Sequence, residues 1–234
     1  MYTNSIRYPA DTDWVNLDAD MNRALDIIIH DFARAETVKD QPTWYVSGSK
    51  VFQARQAHES LGGAFIGLRG TYSSIRSCLA GLALCVDMTV SCFLFGASAI
   101  DVMWAAAGYR SADEMFRDCR GGALHKQRQA SILDAIKSAQ CRITHVNFSK
   151  KIKGLGPAAN SKESTFDFNG KMVTVAEYFT LMCKDPEKGA TYTNALGSTR
   201  ALKHPYLPTI NVGTTSKPML VPPELVIIRP GQSR

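Results

Sequence analysis

The sequence predicts a mixed α+β fold, and three stretches carry that reading. Met21, Leu25, Ile28 and Phe32 recur at helical spacing within residues 18–35, with Asp18 and Asp20 near the start of the helix. Leu82, Leu84, Val86, Met88, Val90 and Cys92 alternate with Ala83, Cys85, Asp87, Thr89 and Ser91, as on a long strand with one buried face. Residues 165–179 then place a hairpin and a helix start side by side.

That last stretch is the most information-dense. Phe166 and Phe168 alternate with polar residues as on a half-buried strand. Asn169-Gly170 suits a type I′ turn, because both central residues need positive φ. Lys171 to Val173 is the return strand. Thr174 with Glu177 three residues later is a capping box, so a helix starts there and delivers Tyr178 and Phe179 together. Taken alone, these aromatics read first as core residues, since aromatics more often pack than contact ligands. A hairpin feeding a short helix, with aromatics on both, can also line a small cleft.

The remaining elements follow in order. Residues 1–17 carry no periodicity and read as an arm. Asp40-Gln41-Pro42 breaks the first helix, and Trp44-Tyr45-Val46 and Val51-Phe52 are short strands around Ser47-Gly48-Ser49. Residues 54–63 read as a polar loop ending in Gly62-Gly63. After the long strand, Ser98 opens a helix with Asp101 as capping partner and Gly108 as its stop. Ser111 with Glu114 opens a second, and residues 125–139 form a third with Ile132, Leu133 and Ile136 inward. Cys141 to Val146 is a strand, and Lys184-Asp185-Pro186-Glu187-Lys188-Gly189 reads as a solvated loop insertion.

Composition bounds the function. The chain has 234 residues, 45% hydrophobic and 21% charged, as in an ordinary globular protein. It contains no apolar run of about 20 residues, so no membrane span is expected. The N-terminus lacks a basic-then-apolar leader, and the six cysteines form no Cys-x-x-Cys pair, so reduced thiols in a cytoplasmic protein are expected. Residues 1–98 hold eight Lys/Arg against ten Asp/Glu, a net of −2; residues 99–234 hold nineteen against eleven, a net of +8, which together give +6. A basic C-terminal part points to an anionic partner. No Gly-x-Ser-x-Gly, His-Glu-x-x-His or Walker loop is present, and Gly154-Leu155-Gly156-Pro157 opens no helix as a dinucleotide fingerprint would. No catalytic residue, metal ligand or cofactor is therefore expected.

Several segments in sequence order carry a family resemblance. They are Ile143-Thr144-His145, Lys150-Lys151-Ile152-Lys153, the Thr165-Phe166 hairpin, Val175-Ala176-Glu177-Tyr178-Phe179, His204-Pro205-Tyr206-Leu207-Pro208, Val212-Gly213 and Pro222-Pro223-Glu224-Leu225. In that order and spacing they resemble the PAZ domain of Argonaute proteins. Upstream, Arg69, Gly70, Tyr72, Ser74, Ile75, Arg76 and Asp87 resemble the Argonaute linker that precedes PAZ, with Leu68 where the family often has Trp. Dicer enzymes also carry PAZ but lack that linker. The resemblance implies a linker region over 1–97, PAZ over 98–228 and the start of a second linker over 229–234, in what looks like an excised fragment.

The resemblance further implies an α+β fold: an OB-like β-barrel with an inserted hairpin-helix module, preceded by an α/β linker region. It implies RNA binding without enzymatic activity, since slicing in the family belongs to PIWI. The partners would be the single-stranded 3′ end of a small RNA and the rest of an Argonaute chain (N, MID and PIWI domains). An unstacked terminal nucleotide can rest on aromatic faces, with its phosphates on donors and its 2′-hydroxyl reporting RNA. By position, Phe166 packs on the terminal nucleotide, and Tyr178 and His145 contact the last phosphodiester. Lys151 and Lys217 meet the backbone, and Leu220 and Val221 close over the sugar. Lys153 stands where the family often has Tyr, and Cys183 where it often has a second Tyr or His; Tyr192, in the insertion, is the candidate replacement. The alternative is a structural or protein-interaction piece with a degenerate pocket.

Overall fold

A computed structural model describes residues 19–35, 37–38, 41–56, 58–78, 81–122, 124–185, 187–196, 201–214 and 216–233, without the side chains of residues 19, 32, 34, 35, 37, 38, 41 and 42. The expected arm over residues 1–17 and the side chain of Phe32 lie outside the described residues. The chain divides into two compact units. One is drawn from the residues up to Glu59 and from Gly67–Ser91, the other from Ser60–Ile66 and from Cys92 onward.

The first unit holds helix α1 (Ala19–Ala35), the short pair β1 (Thr37–Val38) and β2 (Gln41–Pro42), then β3 (Trp44–Ser47) and β4 (Lys50–Gln53). Strand β5 (Glu59–Gly62) occupies part of what reads in sequence as a loop, and it pairs with β6 (Phe65–Cys78), which is followed by β7 (Gly81–Leu94). The sheet runs β7-β6-β4-β3, with Val51 opposite Thr71 and Phe52 opposite Gly70. A Cβ on Gly70 would lie 2.4 Å from the Val51 carbonyl oxygen and 2.5 Å from the Phe52 ring, so only glycine lets the two strands close here.

Two expectations are corrected in this unit. Helix α1 forms, but Met21 and Ile28 are exposed; the inward residues are Leu25, His30 and Ala33. The His30 imidazole donates from Nδ1 to the Asp26 carbonyl and accepts at Nε2 from the Ser73 hydroxyl at 2.8 Å, while the Asp26 carboxylate accepts from the Ile75 N–H at 2.9 Å. Polar residues with partners on β6 set the helix face. Strand β7 also forms, but the face expected to be buried is open: Leu84, Val86, Met88 and Val90 are 57%, 56%, 77% and 63% exposed. Alternation marks an apolar face, and no described element of this chain covers it.

The second unit begins with three capped helices, α2 (Ala99–Ala106), α3 (Ala112–Gly121) and α4 (Lys126–Ile136). The Ser98 and Ser111 side chains accept from the N–H groups of Asp101 and Glu114, as the spacing predicts. Ile132, Ala135 and Ile136 are the buried face of α4, while Leu133 is half-buried; the helix ends before Ser138, which adopts φ 66°.

Next come β8 (Gln140–Ile143), β9 (Phe148–Lys151), β10 (Gly154–Ala158), a 3-10 turn at Lys162–Ser164, β11 (Phe166–Phe168), β12 (Lys171–Val173), α5 (Val175–Met182) and α6 (Gly189–Leu196). The chain continues through β13 (Pro208–Asn211), β14 (Leu220–Val221), a 3-10 turn at Pro223–Leu225, β15 (Val226–Ile228) and β16 (Gln232–Ser233), which pairs with the end of β7. The strands expected to make a barrel form two three-stranded sheets, β15-β8-β9 and β10-β13-β14, and no closed barrel is found among the described residues. The corner between β9 and β10 joins them: Ile152 N–H donates to Ala139 and Lys153 N–H to Asn211. Among the described residues no helix is long and apolar enough to cross a membrane.

The hairpin-helix module matches its sequence signals. Phe166 pairs with Val173 and Phe168 with Lys171, and Asn169 and Gly170 take φ of 55° and 78°. Both halves of the capping box at Thr174 and Glu177 are made. The stretch read as a solvated loop, Lys184 to Gly189, gives only Gly189 to a helix; α6, which begins there, was not expected. The Asp185 carboxylate accepts from the N–H groups of Glu187 and Lys188 at 2.9 Å each, which turns the chain into the helix. Burial of Tyr192 and Leu196 then holds α6 against the core.

Candidate functional site

A cleft of about 450 Å³ in the second unit gathers residues far apart in sequence. Its walls are His145 and Val146 from the turn after β8, Glu163 to Phe166, Val175, Tyr178 and Phe179 from α5, Tyr192 from α6, and Pro218 to Val221 around β14. Each wall has a local anchor. The Thr144 N–H and hydroxyl both donate to the Leu225 carbonyl, which fixes the turn bearing His145. The buried Ser164 hydroxyl donates to the Ala159 and Ser161 carbonyls, and Ala176 N–H also donates to Ala159, tying α5 to the 3-10 turn. The Thr174 N–H bonding the Glu177 carboxylate holds that carboxyl below the usual range and keeps it at the helix N-terminus.

Tyr178 is the centre of the aromatic group. Its ring meets Phe166 at 5.4 Å, Phe168 at 5.1 Å and Phe179 at 5.4 Å, all edge-on. Its hydroxyl lies 3.2 Å from the Tyr192 hydroxyl. Burial, and then the bond to Tyr178, push the Tyr192 phenol above its ordinary value, so it stays protonated as a donor. His145 packs 5.1 Å from Phe179 and 5.0 Å from Tyr192. It is 8% exposed, burial lowers its pKa, and its Nδ1 meets no hydrogen-bond partner among the described residues. His145 stands in the turn following β8, where the sequence suggested a strand position.

Of the nine residues singled out from sequence, His145, Phe166, Tyr178, Tyr192, Leu220 and Val221 line this cleft. Lys151, Lys153 and Lys217 are exposed and do not. Cys183 caps the end of α5, buried and away from the lining, whereas Tyr192 faces the cleft. Glu163, Pro218 and Met219 were missed. The Ser161 hydroxyl accepting from Glu163 N–H is a local capping signal that could have marked the 3-10 turn, but nothing local marks the cleft. Among the described residues the lining contains no lysine or arginine, and Glu163 is its one carboxylate. The cleft therefore offers aromatic faces and neutral donors to a ligand, with cations only outside it. A larger cleft, about 640 Å³, around Arg120, Asn160 and Tyr206 contains none of the nine residues.

Residues 47–94 match the model of the Argonaute linker 1 domain. Protein argonaute 1D of Oryza sativa subsp. japonica is 30% identical over 178 residues, covering 74% of this chain and 15% of that protein. Protein argonaute 7 of the same organism is 24% identical over 224 residues, covering 95% of this chain and 19% of that protein. This chain thus spans less than a fifth of the curated relatives it matches. The crystal structure of Kluyveromyces polysporus Argonaute with a guide RNA shares the fold, with a TM-score of 0.54 at 18% identity over 94% of this chain and 25% of that one. A looser likeness, with a TM-score of 0.36 at 20% identity, relates 58% of this chain to 97% of the Drosophila Argonaute 2 PAZ domain.

Proposed function

The chain carries an Argonaute linker 1 domain and has Argonaute relatives along most of its length, and on that premise we propose that it anchors the 3′ end of a small guide RNA. The RNA is of siRNA or miRNA type, ending in a two-nucleotide 3′ overhang, and the setting is RNA interference and gene silencing in the cytoplasm. In this reading residues 1–97 are a linker region, 98–228 a PAZ module with its sheets as an open OB-like barrel, and 229–234 the start of a second linker. No catalysis is assigned to it, and its protein partner is the remainder of an Argonaute chain.

The observation that carries the reading is the Tyr178–Tyr192 hydroxyl pair, 3.2 Å apart in an aromatic cleft that also holds His145 and Phe166. One hydroxyl donates to the other, which leaves a proton free for a phosphate oxygen. The Phe166 ring supplies a face for the terminal nucleotide, and Leu220 and Val221 supply apolar cover for its sugar. Lys151, Lys153 and Lys217 serve the phosphates that remain outside. Leu84, Val86, Met88 and Val90, exposed on β7, favour a second reading as a protein-interaction piece.

The test compares one single-stranded RNA in linear and circularised form, titrated into the whole chain and followed by fluorescence anisotropy. A circle has the same bases and phosphates but no end. The linear form should bind at least about tenfold tighter, or roughly 1.4 kcal/mol. Equal affinities would favour the interaction reading.

A further inference from the structure

We propose that β9 forms a second station for the same RNA. Phe148 stacks on the base of a nucleotide just 5′ of those in the cleft, and Lys150, Lys151 and Lys153, farther along the chain, meet phosphates on the 5′ side of that base. This rests on the reading of the cleft as an RNA 3′-end site. Among the described strands β9 is the edge of its sheet, paired with β8 alone. Phe148 lies opposite Ile143, so the two side chains share a sheet face, yet Ile143 is fully buried and Phe148 is 60% exposed. The aromatic ring thus extends past the edge of the core.

Edge strands often carry lysines to discourage pairing with other chains. That accounts for Lys150 and Lys151 but not for an exposed aromatic beside them. All three lysines are exposed, and none forms an ion pair among the described residues. An aromatic flanked by unneutralised cations is what single-stranded nucleic acid uses: a base on the ring and phosphates on the charges. The strip is also continuous with the cleft. His145 and Val146 line the cleft wall, and Asn147, at φ 52°, turns the chain straight into Phe148. Two residues span at most about 7 Å, so the Phe148 Cα lies within that distance of Val146. A strand leaving the cleft on this side meets the ring next.

The test measures affinity of the whole chain for single-stranded RNAs of two and six nucleotides with free 3′ ends. Phe148→Ala should weaken the six-nucleotide RNA by roughly 5- to 30-fold, within the range for one base–aromatic stack, and leave the dinucleotide unchanged. Phe148→Trp should restore binding. An abasic third position, counted from the 3′ end, should cost the native chain a similar factor and cost Phe148→Ala nothing more. Equal loss at both lengths, or loss at neither, overturns the proposal, and the second outcome leaves the strip to a protein partner. If the cleft reading is what fails, Tyr178→Phe will affect no length while Phe148→Ala still separates long from short.

Discussion

The Tyr178 and Tyr192 hydroxyls lie 3.2 Å apart, although one tyrosine comes from α5 and the other from α6, beyond a turn built on Asp185. Two phenols bonded to each other share their protons: one hydrogen joins them and the other is free for an outside acceptor. On the proposed reading, α6 supplies the cleft with a hydroxyl where Cys183 has none to offer.

Each hydroxyl can be removed without its ring. Tyr178→Phe and Tyr192→Phe should each weaken binding of a 3′-ended RNA by about 1.5–3 kcal/mol, the range for a hydrogen bond to a charged group. The double variant should lose less than the sum, because the two groups act as a unit. Anisotropy titrations of the three variants, with melting curves as a control for folding, decide this. Unchanged binding with a lowered melting temperature would make Tyr178 a core residue.

His145 gives the site a pH signature. Burial lowers its folded pKa below the ordinary value of about 6.5, so the unfolded chain takes up its proton at higher pH than the folded chain does. The stability this group contributes is complete above about pH 6.5 and lost as pH falls from there through the lower folded value. A phosphate beside the ring would favour the charged form, so binding takes up a proton. RNA affinity should rise as pH falls from 7.5 to 6, and His145→Ala should flatten that profile. A flat profile in the native chain would remove His145 from the phosphate contacts.

The salt dependence should be modest. Among the described residues the cleft lining contains no lysine or arginine, and on the proposed reading a short 3′ end brings only a few phosphates near the exposed lysines. The slope of log affinity against log salt should be about −1 to −3. A much steeper slope would place the RNA along an extended basic surface instead.

Gly70 offers a test of the first unit alone. An added methyl would meet the Val51 carbonyl at 2.4 Å, backbone that cannot move without opening the β4–β6 pairing. Gly70→Ala should destabilise the chain by about 1–3 kcal/mol, as overpacking does. Urea unfolding measures it. Gly81→Ala, in open space but at φ 118°, would show the cost of backbone strain without a clash.

What the sequence revealed was local. The Asn169-Gly170 turn, the Thr174–Glu177 capping box and the Ser98 and Ser111 caps each rest on residues a few positions apart, and each formed. On the inward face of α1 Leu25 was legible but His30 was not, because His30 and Asp26 are polar and their partners, Ser73 and Ile75, lie more than forty residues away. Helix α6 was missed because its sequence shows little apolar periodicity; Tyr192 and Leu196 hold it by burial against other elements. The alternation in β7 correctly gave a strand but could not say whether anything covers it. Six of the nine site residues reached the cleft because the order of motifs resembled a family, not because any local pattern joins residue 145 to residue 221.

An RNA 3′ end held in this cleft would make binding depend on a free overhang. The most direct measurement is the affinity of the whole chain for two RNA duplexes identical except that one is blunt and the other has two-nucleotide 3′ overhangs. The overhanging duplex should bind clearly tighter, by at least about tenfold, and Tyr178→Phe should lose that preference. Equal affinity for the two duplexes would contradict it.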